Sequence, residues 1–117
     1  MSNYNPGLHI LASFSASEAA LTAMEGCRRF FDNMVAELSL VKVGDVYHGF
    51  PNGGFTAVIC LTESHVSIHT WPEHGLATFD VFLSNFNKDN TEKVKQFYQD
   101  TLRHFGATEI SKQEVKR

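Results

Sequence analysis

The most informative stretch of this chain is Leu61–Glu73, which reads LTESHVSIHTWPE. From His65 to Trp71 its side chains alternate in character, as those of a half-buried strand do. Pro72 to Gly75 then supplies the proline and the glycine that turn a chain, and the apolar run Leu76–Phe82 follows. The sequence therefore predicts an antiparallel hairpin, with the Glu63–Ser64 bond just before its first strand.

A second hairpin is predicted immediately upstream. The runs Leu40–His48 and Phe55–Thr62 are rich in β-branched and aromatic residues, and Pro51 to Gly54 between them has the composition of a hairpin turn. Two further strands are predicted near the ends of the sequence, at Leu8–Phe14 and Thr108–Val115.

Two amphipathic helices are predicted between these strands. The first follows the capping hydroxyls of Ser15 and Ser17, and the second follows a capping-box pattern at Asp89 and Glu92 and stops at Gly106. Apolar residues recur at helical spacing in both, namely Ala20, Met24, Cys27, Phe31, Met34 and Leu38, then Val94, Phe97, Tyr98, Leu102 and Phe105. The order β-α-β-β-β-β-α-β describes an α+β domain, an antiparallel β-sheet with two α-helices packed on one face.

Length and composition indicate a single globular domain over residues 1–117. Hydrophobic residues make up 43% and charged residues 20%, which is ordinary for a soluble protein. The net charge of -3 and the pI near 6.0 argue against nucleic acid or an anionic membrane as a partner. No signal-peptide pattern and no run of about 18 apolar residues is seen, so a cytoplasmic protein is expected.

Neither the cysteines nor the histidines form a recognisable metal motif. Cys27 and Cys60 lack a CxxC spacing and are expected to be small buried hydrophobic residues. His65 and His69 share one face of the predicted strand but lie roughly 13 Å apart at ~3.3 Å per residue, which is too far for one ion. We therefore predict no metal site.

One acidic residue stands inside a strand that is expected to be largely buried. This residue is Asp80, in the run that follows the hairpin turn. Because an unpaired buried carboxylate is costly, we expect Asp80 to pair with a histidine, a backbone amide or an edge of the functional site.

The pattern ESH-x-x-IHTWPE, from Glu63 to Glu73, resembles the self-cleavage segment of the prokaryotic S-adenosylmethionine decarboxylase proenzyme family. The resemblance covers most of the chain. The other matching segments are Pro6–Leu11, Val46–Phe50, Gly54–Val58 and Leu76–Phe82. It implies the fold of this family and a pyruvoyl-dependent enzyme of spermidine biosynthesis, which makes its covalent cofactor from a serine of its own backbone.

The resemblance also implies roles for individual residues. The Ser64 hydroxyl attacks the Glu63 carbonyl, an ester replaces the amide, and β-elimination leaves a dehydroalanine that hydrolyses to the pyruvoyl group. The products are residues 1–63 and a pyruvoyl-headed 64–117. His69 matches the processing histidine of the family, and Thr56 matches a hydroxyl that assists the rearrangement. A homodimer with active sites near the contact, and a small amine as substrate, are implied as well.

Two positions depart from the family pattern. Ser84 stands where members that decarboxylate S-adenosylmethionine usually carry a cysteine, and Ser13 stands where many members carry a carboxylate. A serine hydroxyl is a far weaker acid than a thiol, whose reference pKa is ~8.5. Three functions stay open: an S-adenosylmethionine decarboxylase with Ser84 at the protonating position, a pyruvoyl-dependent arginine or ornithine decarboxylase, and a non-catalytic relative that regulates an active homologue.

Overall fold

A computed structural model describes residues 4–86 and 88–117. These residues form six strands, three α-helices and one 3₁₀ turn. The strands are β1 Leu8–Ser15, β2 Lys42–Gly49, β3 Phe55–Leu61, β4 Ser64–Trp71, β5 Leu76–Leu83 and β6 Thr108–Lys116; the helices are α1 Glu18–Leu21, α2 Met24–Glu37 and α3 Thr91–Phe105, and the 3₁₀ turn is Pro72–His74. None of the helices in the described ranges is long and apolar enough to cross a membrane.

The strands form one antiparallel sheet in the order β2-β3-β4-β5-β1-β6. Four consecutive strands make up a meander, and the first strand of the chain lies between β5 and β6. The inner strand β4 is hydrogen-bonded on both sides. Its first residue, Ser64, lies opposite Leu61 of β3 and Leu83 of β5. The predicted cleavage point is therefore at the end of a strand whose backbone is held by two neighbours.

The two long helices pack on the same face of the sheet. The ring of Phe31 on α2 lies with its centroid 6.2 Å from that of Phe79 on β5 and 5.7 Å from that of Phe97 on α3. The residues of β1 on this face are all buried, namely Leu8, Ile10, Ala12 and Phe14. The predicted α+β fold, an antiparallel sheet with its helices on one face, is confirmed.

The predicted helix from Ser17 to Leu38 is broken near its start. Ser17 caps α1 as predicted. The Leu21 carbonyl then accepts a hydrogen bond of 2.8 Å from the buried hydroxyl of Thr70 on β4. Because a side chain from the sheet satisfies this carbonyl, the chain can leave the helical conformation there without losing a hydrogen bond. The second helix begins three residues later, at Met24.

The second face of the sheet has no helix on it within the described residues, and we call it the open face. It carries alternate residues of each strand, including His9, Leu11, Val46, Thr56, Cys60, His65, Ser67, His69, Trp71, Asp80 and Val115. Several of its apolar side chains are exposed, namely Leu11, Val46, Trp71 and Val115. This face is therefore both polar enough to hold a functional site and apolar enough to hold a partner.

The two cysteines lie on opposite sides of the sheet. Cys27 is buried under α2, as predicted. The prediction that Cys60 is buried is wrong, because Cys60 is exposed. Its neighbours Ile59 and Leu61 point to the helices and are buried, so strand alternation places the thiol of Cys60 on the open face.

Candidate active site

Ser64 has a backbone conformation that serine rarely adopts. The two-residue turn Thr62–Glu63 joins β3 to β4, and Ser64, the next residue, has a φ of 154°. Positive φ values of this kind are nearly confined to glycine, because a Cβ crowds the backbone there, and they cost about 1–3 kcal/mol. The peptide bond that is predicted to break therefore leads into a strained residue.

Glu63 is held in place at two points, its backbone carbonyl and its side-chain carboxylate. The backbone N–H of Ser84 donates a hydrogen bond to the Glu63 carbonyl oxygen at 2.8 Å. The Asn90 side chain donates from Nδ2 to Glu63 Oε1 at 3.0 Å and to the Ser84 carbonyl oxygen at 2.8 Å. We call Glu63, Ser64, Ser84 and Asn90 the cleavage cluster. The half-buried Ser84 forms no hydrogen bond through its hydroxyl with any residue that the structure describes.

Asn90 is the member of this cluster that sequence patterns do not reveal. The polar run from 85 to 90 reads as a loop before a helix, and asparagine there predicts a helix cap. In the structure Asn90 is 0% exposed, although asparagine is mostly exposed in proteins. The only available signal is its position directly before α3, which gives no indication of a contact with Glu63.

Thr56 and His69 form a separate pair on the open face. Thr56 Oγ1 lies 2.9 Å from His69 Nδ1 across the adjacent strands β3 and β4. We call these two residues the threonine–histidine pair. They border a cavity of about 440 Å³. Its walls are Phe50, Pro51, Asn52, Thr56, His69, Thr70, Trp71 and Glu73. A concave site of this size, with aromatic walls and a few polar groups, suits a small molecule.

The threonine–histidine pair and the cleavage cluster are far apart within one chain. Ser64 and His69 lie on the same strand and five residues apart, which corresponds to roughly 16 Å at ~3.3 Å per residue. A base must come within about 3 Å of the proton donor that it serves. The five predicted site residues thus fall into two groups, Glu63 with Ser64 and Ser84, and Thr56 with His69.

A third group of polar side chains surrounds Asp80 on the open face. Asp80 Oδ2 lies 2.8 Å from His9 Nε2 and 2.8 Å from His65 Nε2, and the Ser67 hydroxyl donates to Asp80 Oδ1. The prediction that Asp80 pairs with a histidine is confirmed. His9 escapes sequence reasoning because it is 71 residues from Asp80, and only the pairing of β1 with β5 brings the two together.

This third group has the composition of a metal site but is held by hydrogen bonds. Ligand-type atoms of His9, His65 and Asp80 lie within 4.8 Å of one another. Arg117 Nη1 lies 3.2 Å from His9 Nδ1. Because a guanidinium only donates, Nδ1 accepts and the ring proton of His9 sits on Nε2, where it faces Asp80. While His9 Nε2 carries this proton, it has no free lone pair to ligate a metal ion. Our expectation of no metal site stays a prediction.

The same hydrogen bonds set the charge of Asp80. Burial by itself raises the pKa of this carboxyl group, but the hydrogen bonds from Ser67, His9 and His65 outweigh burial and hold its pKa below the ordinary value of 3.8. Asp80 is therefore an anion at neutral pH and keeps the two imidazole rings oriented.

Replacing Asp80 by Asn should destabilise the fold in a pH-dependent way. Because the folded state holds the Asp80 pKa below its unfolded value, the stabilisation is present above pH 3.8 and is lost as the pH falls through the folded pKa. Urea unfolding between about pH 7 and about pH 2 measures this, on chains that also carry Ser64→Ala so that all are intact. The difference in free energy of unfolding should be largest at neutral pH.

The matched control is Glu114→Gln, which removes an exposed carboxylate on β6. Its effect should stay within about 0.5 kcal/mol at every pH. An Asp80→Asn difference that does not shrink in acid would contradict the assignment of charge to Asp80.

Comparison with known proteins identifies relatives over nearly the whole chain. The family model of S-adenosylmethionine decarboxylase matches residues 8–117. The S-adenosylmethionine decarboxylase proenzyme of Archaeoglobus fulgidus is 37% identical over 100 residues, which are 85% of this chain and 86% of that protein. The protein of the same name from Aquifex aeolicus is 46% identical over 77 residues, which are 65% of this chain and 57% of that protein. The latter match thus spans little more than half of the Aquifex protein.

A solved structure gives the same result. The crystal structure of the adenosylmethionine decarboxylase from Aquifex aeolicus VF5 matches with a TM-score of 0.84 and 33% identity, over 97% of this chain and 92% of that chain. The similarity therefore extends from the sequence to the arrangement of the sheet and the helices. This chain belongs to the S-adenosylmethionine decarboxylase family.

Proposed function

We propose that this chain is the proenzyme of a pyruvoyl-dependent S-adenosylmethionine decarboxylase that acts in the cytoplasm and supplies the aminopropyl donor for spermidine synthesis. One observation carries the proposal: Ser64 has a φ of 154° and follows a carbonyl that accepts the N–H of Ser84. The name of the relatives, S-adenosylmethionine decarboxylase proenzyme, supports both the self-processing and the substrate.

Self-cleavage begins when Ser64 Oγ attacks the carbonyl carbon of Glu63. The hydrogen bond from the Ser84 N–H stabilises the negative charge that the carbonyl oxygen acquires. The C–N bond then breaks, the nitrogen takes up a proton, and an ester links Glu63 to the Ser64 oxygen. Breaking this bond also releases the strain at Ser64, which favours the step.

The ester must then be eliminated. A base removes the α-proton of Ser64, Glu63 leaves as a carboxylate, and a dehydroalanine remains. Hydrolysis of the dehydroalanine releases ammonia and leaves the pyruvoyl group as the first residue of β4. In this mechanism His69 is the base and Thr56, which is hydrogen-bonded to it, orients its ring.

The surroundings of Ser64 fit a pyruvoyl group. The site lies between Leu61 and Leu83 of the neighbouring strands, and the half-buried Ser84 follows Leu83. When bound there, the group supplies a carbonyl that draws electrons from the substrate as carbon dioxide leaves. The product must then take up a proton, and Ser84 is the proposed donor because its hydroxyl is not used in a hydrogen bond to any described residue.

The cavity beside the threonine–histidine pair is the proposed substrate pocket, and it serves Ser64 of the other copy in the two-fold pair proposed below. Phe50 and Trp71 offer aromatic faces on which an adenine ring stacks and over which a sulfonium cation is attracted. The Glu73 carboxylate, at the rim, is an acceptor for the two ribose hydroxyls. S-adenosylmethionine carries all three of these groups, whereas arginine and ornithine carry neither the adenine nor the ribose.

We further propose that two copies pair through their open faces. The mechanism needs His69 near Ser64, and the two lie roughly 16 Å apart on one strand. A two-fold pair brings His69 of one copy to Ser64 of the other, and symmetry makes the contact twice. The exposed apolar side chains Leu11, Val46 and Val115 support an association through this face.

Two other functions are alternatives, because Ser84 stands where members of the family usually carry a cysteine. A pyruvoyl-dependent arginine or ornithine decarboxylase would release carbon dioxide from one of those amino acids and not from S-adenosylmethionine. A regulatory relative would bind a ligand or an active homologue and release none. The names of the relatives favour S-adenosylmethionine, and carboxyl-labelled substrates distinguish the three functions.

The wild-type chain should be found as two fragments, and Ser64→Ala should remain intact, because alanine has no hydroxyl to attack Glu63. Intact-mass spectrometry of freshly purified protein measures this. The C-terminal fragment should be lighter than a serine-headed fragment by one ammonia. Ser111→Ala, which removes an exposed hydroxyl on β6, should cleave like wild type. A wild-type chain of unaltered mass would refute the proposed function.

Cleavage should be restored when Ser64→Ala and His69→Ala chains are produced together. In a two-fold pair, the His69→Ala chain provides Ser64 and the Ser64→Ala chain provides His69, so one complete site forms. Different affinity tags identify the chains, and only the His69→Ala chain should be cut. If neither chain is cut, His69 does not act across two copies.

The change Ser84→Cys should raise decarboxylation at least about tenfold, because a positioned general acid contributes about 10²–10⁴-fold and a thiol is the better acid. Cleavage should change little, since that step uses the backbone N–H of residue 84. Labelled carbon dioxide release measures the first rate and intact mass the second. Ser84→Ala should lower decarboxylation, and an unchanged rate in both variants would assign the proton transfer to another group.

A further inference from the structure

Asn90 directs its side chain away from the helix that it precedes. It occupies the N-cap position of α3, where asparagine usually accepts a hydrogen bond from a backbone N–H of the first turn. Within the described residues the Asn90 side chain makes no such bond. The Asp89 carboxylate instead accepts the N–H of Thr91 at 2.9 Å. Capping therefore does not explain why a fully buried asparagine stands here.

The orientation of the Asn90 amide is fixed by its neighbours. Its Nδ2 donates to Glu63 Oε1 and to the Ser84 carbonyl oxygen, and both of these atoms are acceptors when Glu63 is ionised. The opposite orientation would set the amide oxygen against two acceptors. The observed orientation leaves Asn90 Oδ1 buried and without a hydrogen-bond partner among the described residues. Such an unmade hydrogen bond destabilises a fold and calls for an explanation.

The two acceptors belong to Glu63 and Ser84, which are hydrogen-bonded to each other next to the cleavage point. The Ser84 N–H donates to the Glu63 carbonyl. The Asn90 amide donates to the main-chain carbonyl of Ser84 and to the side-chain carboxylate of Glu63. Asn90 is itself fixed, because its backbone N–H donates to Asn85 Oδ1 at 2.7 Å. One amide group thus bridges the residue that carries the donor and the residue whose carbonyl accepts it.

We propose that Asn90 is a positioning residue for self-cleavage. Its amide keeps the Ser84 N–H on the Glu63 carbonyl oxygen while the Ser64 hydroxyl attacks, so that the developing negative charge meets a donor that is already in place. The unsatisfied Oδ1 is the consequence of turning both amide protons toward the cleavage point. This inference rests on the proposed function, because it assumes that the Glu63–Ser64 bond breaks.

Cell-free synthesis followed by a time course of cleavage tests the proposal, since it starts from intact chains. Asn90→Ala should cleave about 10- to 100-fold more slowly than wild type, because losing one aligned donor costs up to ~10³-fold. Asn33→Ala, on the exposed side of α2, should cleave like wild type. Thermal unfolding of each variant in a Ser64→Ala background, which stays uncut, reports its folded fraction, and rates are compared per folded chain.

Asn90→Asp gives a readout that a purely structural role would not produce. It puts a second carboxylate beside the Glu63 carboxylate, and two such groups share a proton as the pH falls. The ratio of the wild-type rate to the Asn90→Asp rate should therefore be large near pH 8 and fall toward about pH 5. Adding Glu63→Gln removes one of the charges, so the double variant should cleave faster than Asn90→Asp at pH 8 and lose this pH dependence.

The outcomes separate this inference from the function on which it rests. If wild type stays intact, the proposed function and the inference both fall. If wild type cleaves and folded Asn90→Ala cleaves at the same rate, the inference alone falls. It falls also if the Asn90→Asp ratio is the same at every pH, which keeps the test decisive even if Asn90→Ala does not fold.

Discussion

The position of Ser64 and the composition of the open face both follow from the register of β4. The strand is paired with β5 from Ser64 to Trp71 and with β3 from Ser64 to His69. This pairing fixes which of its side chains meet the helices. A slip of one residue would bury His65, Ser67 and His69 and expose Val66 and Ile68. Burying three polar groups without partners is costly enough to exclude the slip. Ser64 consequently comes at the point where the strand meets the turn.

Features that depend on neighbours in the sequence could be predicted, and features that depend on distant residues could not. Turn residues and alternation gave the hairpins around β3, β4 and β5. The break in the helix after Leu21 could not be predicted, because the hydroxyl that donates to the Leu21 carbonyl belongs to Thr70, 49 residues away. The pairing of His9 with Asp80 was hidden for the same reason, since it requires the order of strands in the sheet.

The candidate site shows the same limit. A motif identified Glu63, Ser64 and His69, but a motif records order along the chain and not distance. Strand geometry separates Ser64 from His69 by more than any side chain can reach. Ser84 and Asn90, by contrast, lie 21 and 27 residues from Glu63 in sequence, and each forms a hydrogen bond with it. The proposed chemistry therefore rests on contacts between segments that a linear pattern treats as unrelated.

The order of strands bears on the proposed scission of the Glu63–Ser64 bond. Residues 1–63 hold β1, β2 and β3, and residues 64–117 hold β4, β5 and β6. Since β1 lies between β5 and β6 while β3 lies against β4, the two pieces are interleaved and share three rows of interstrand hydrogen bonds. Halves severed at this bond would therefore stay together without a covalent link. Denaturing the cleaved protein would free two molecules in place of one, so that refolding would become a second-order association that dilution disfavours. The proposed maturation would thereby turn a reversible folding reaction into a nearly irreversible assembly.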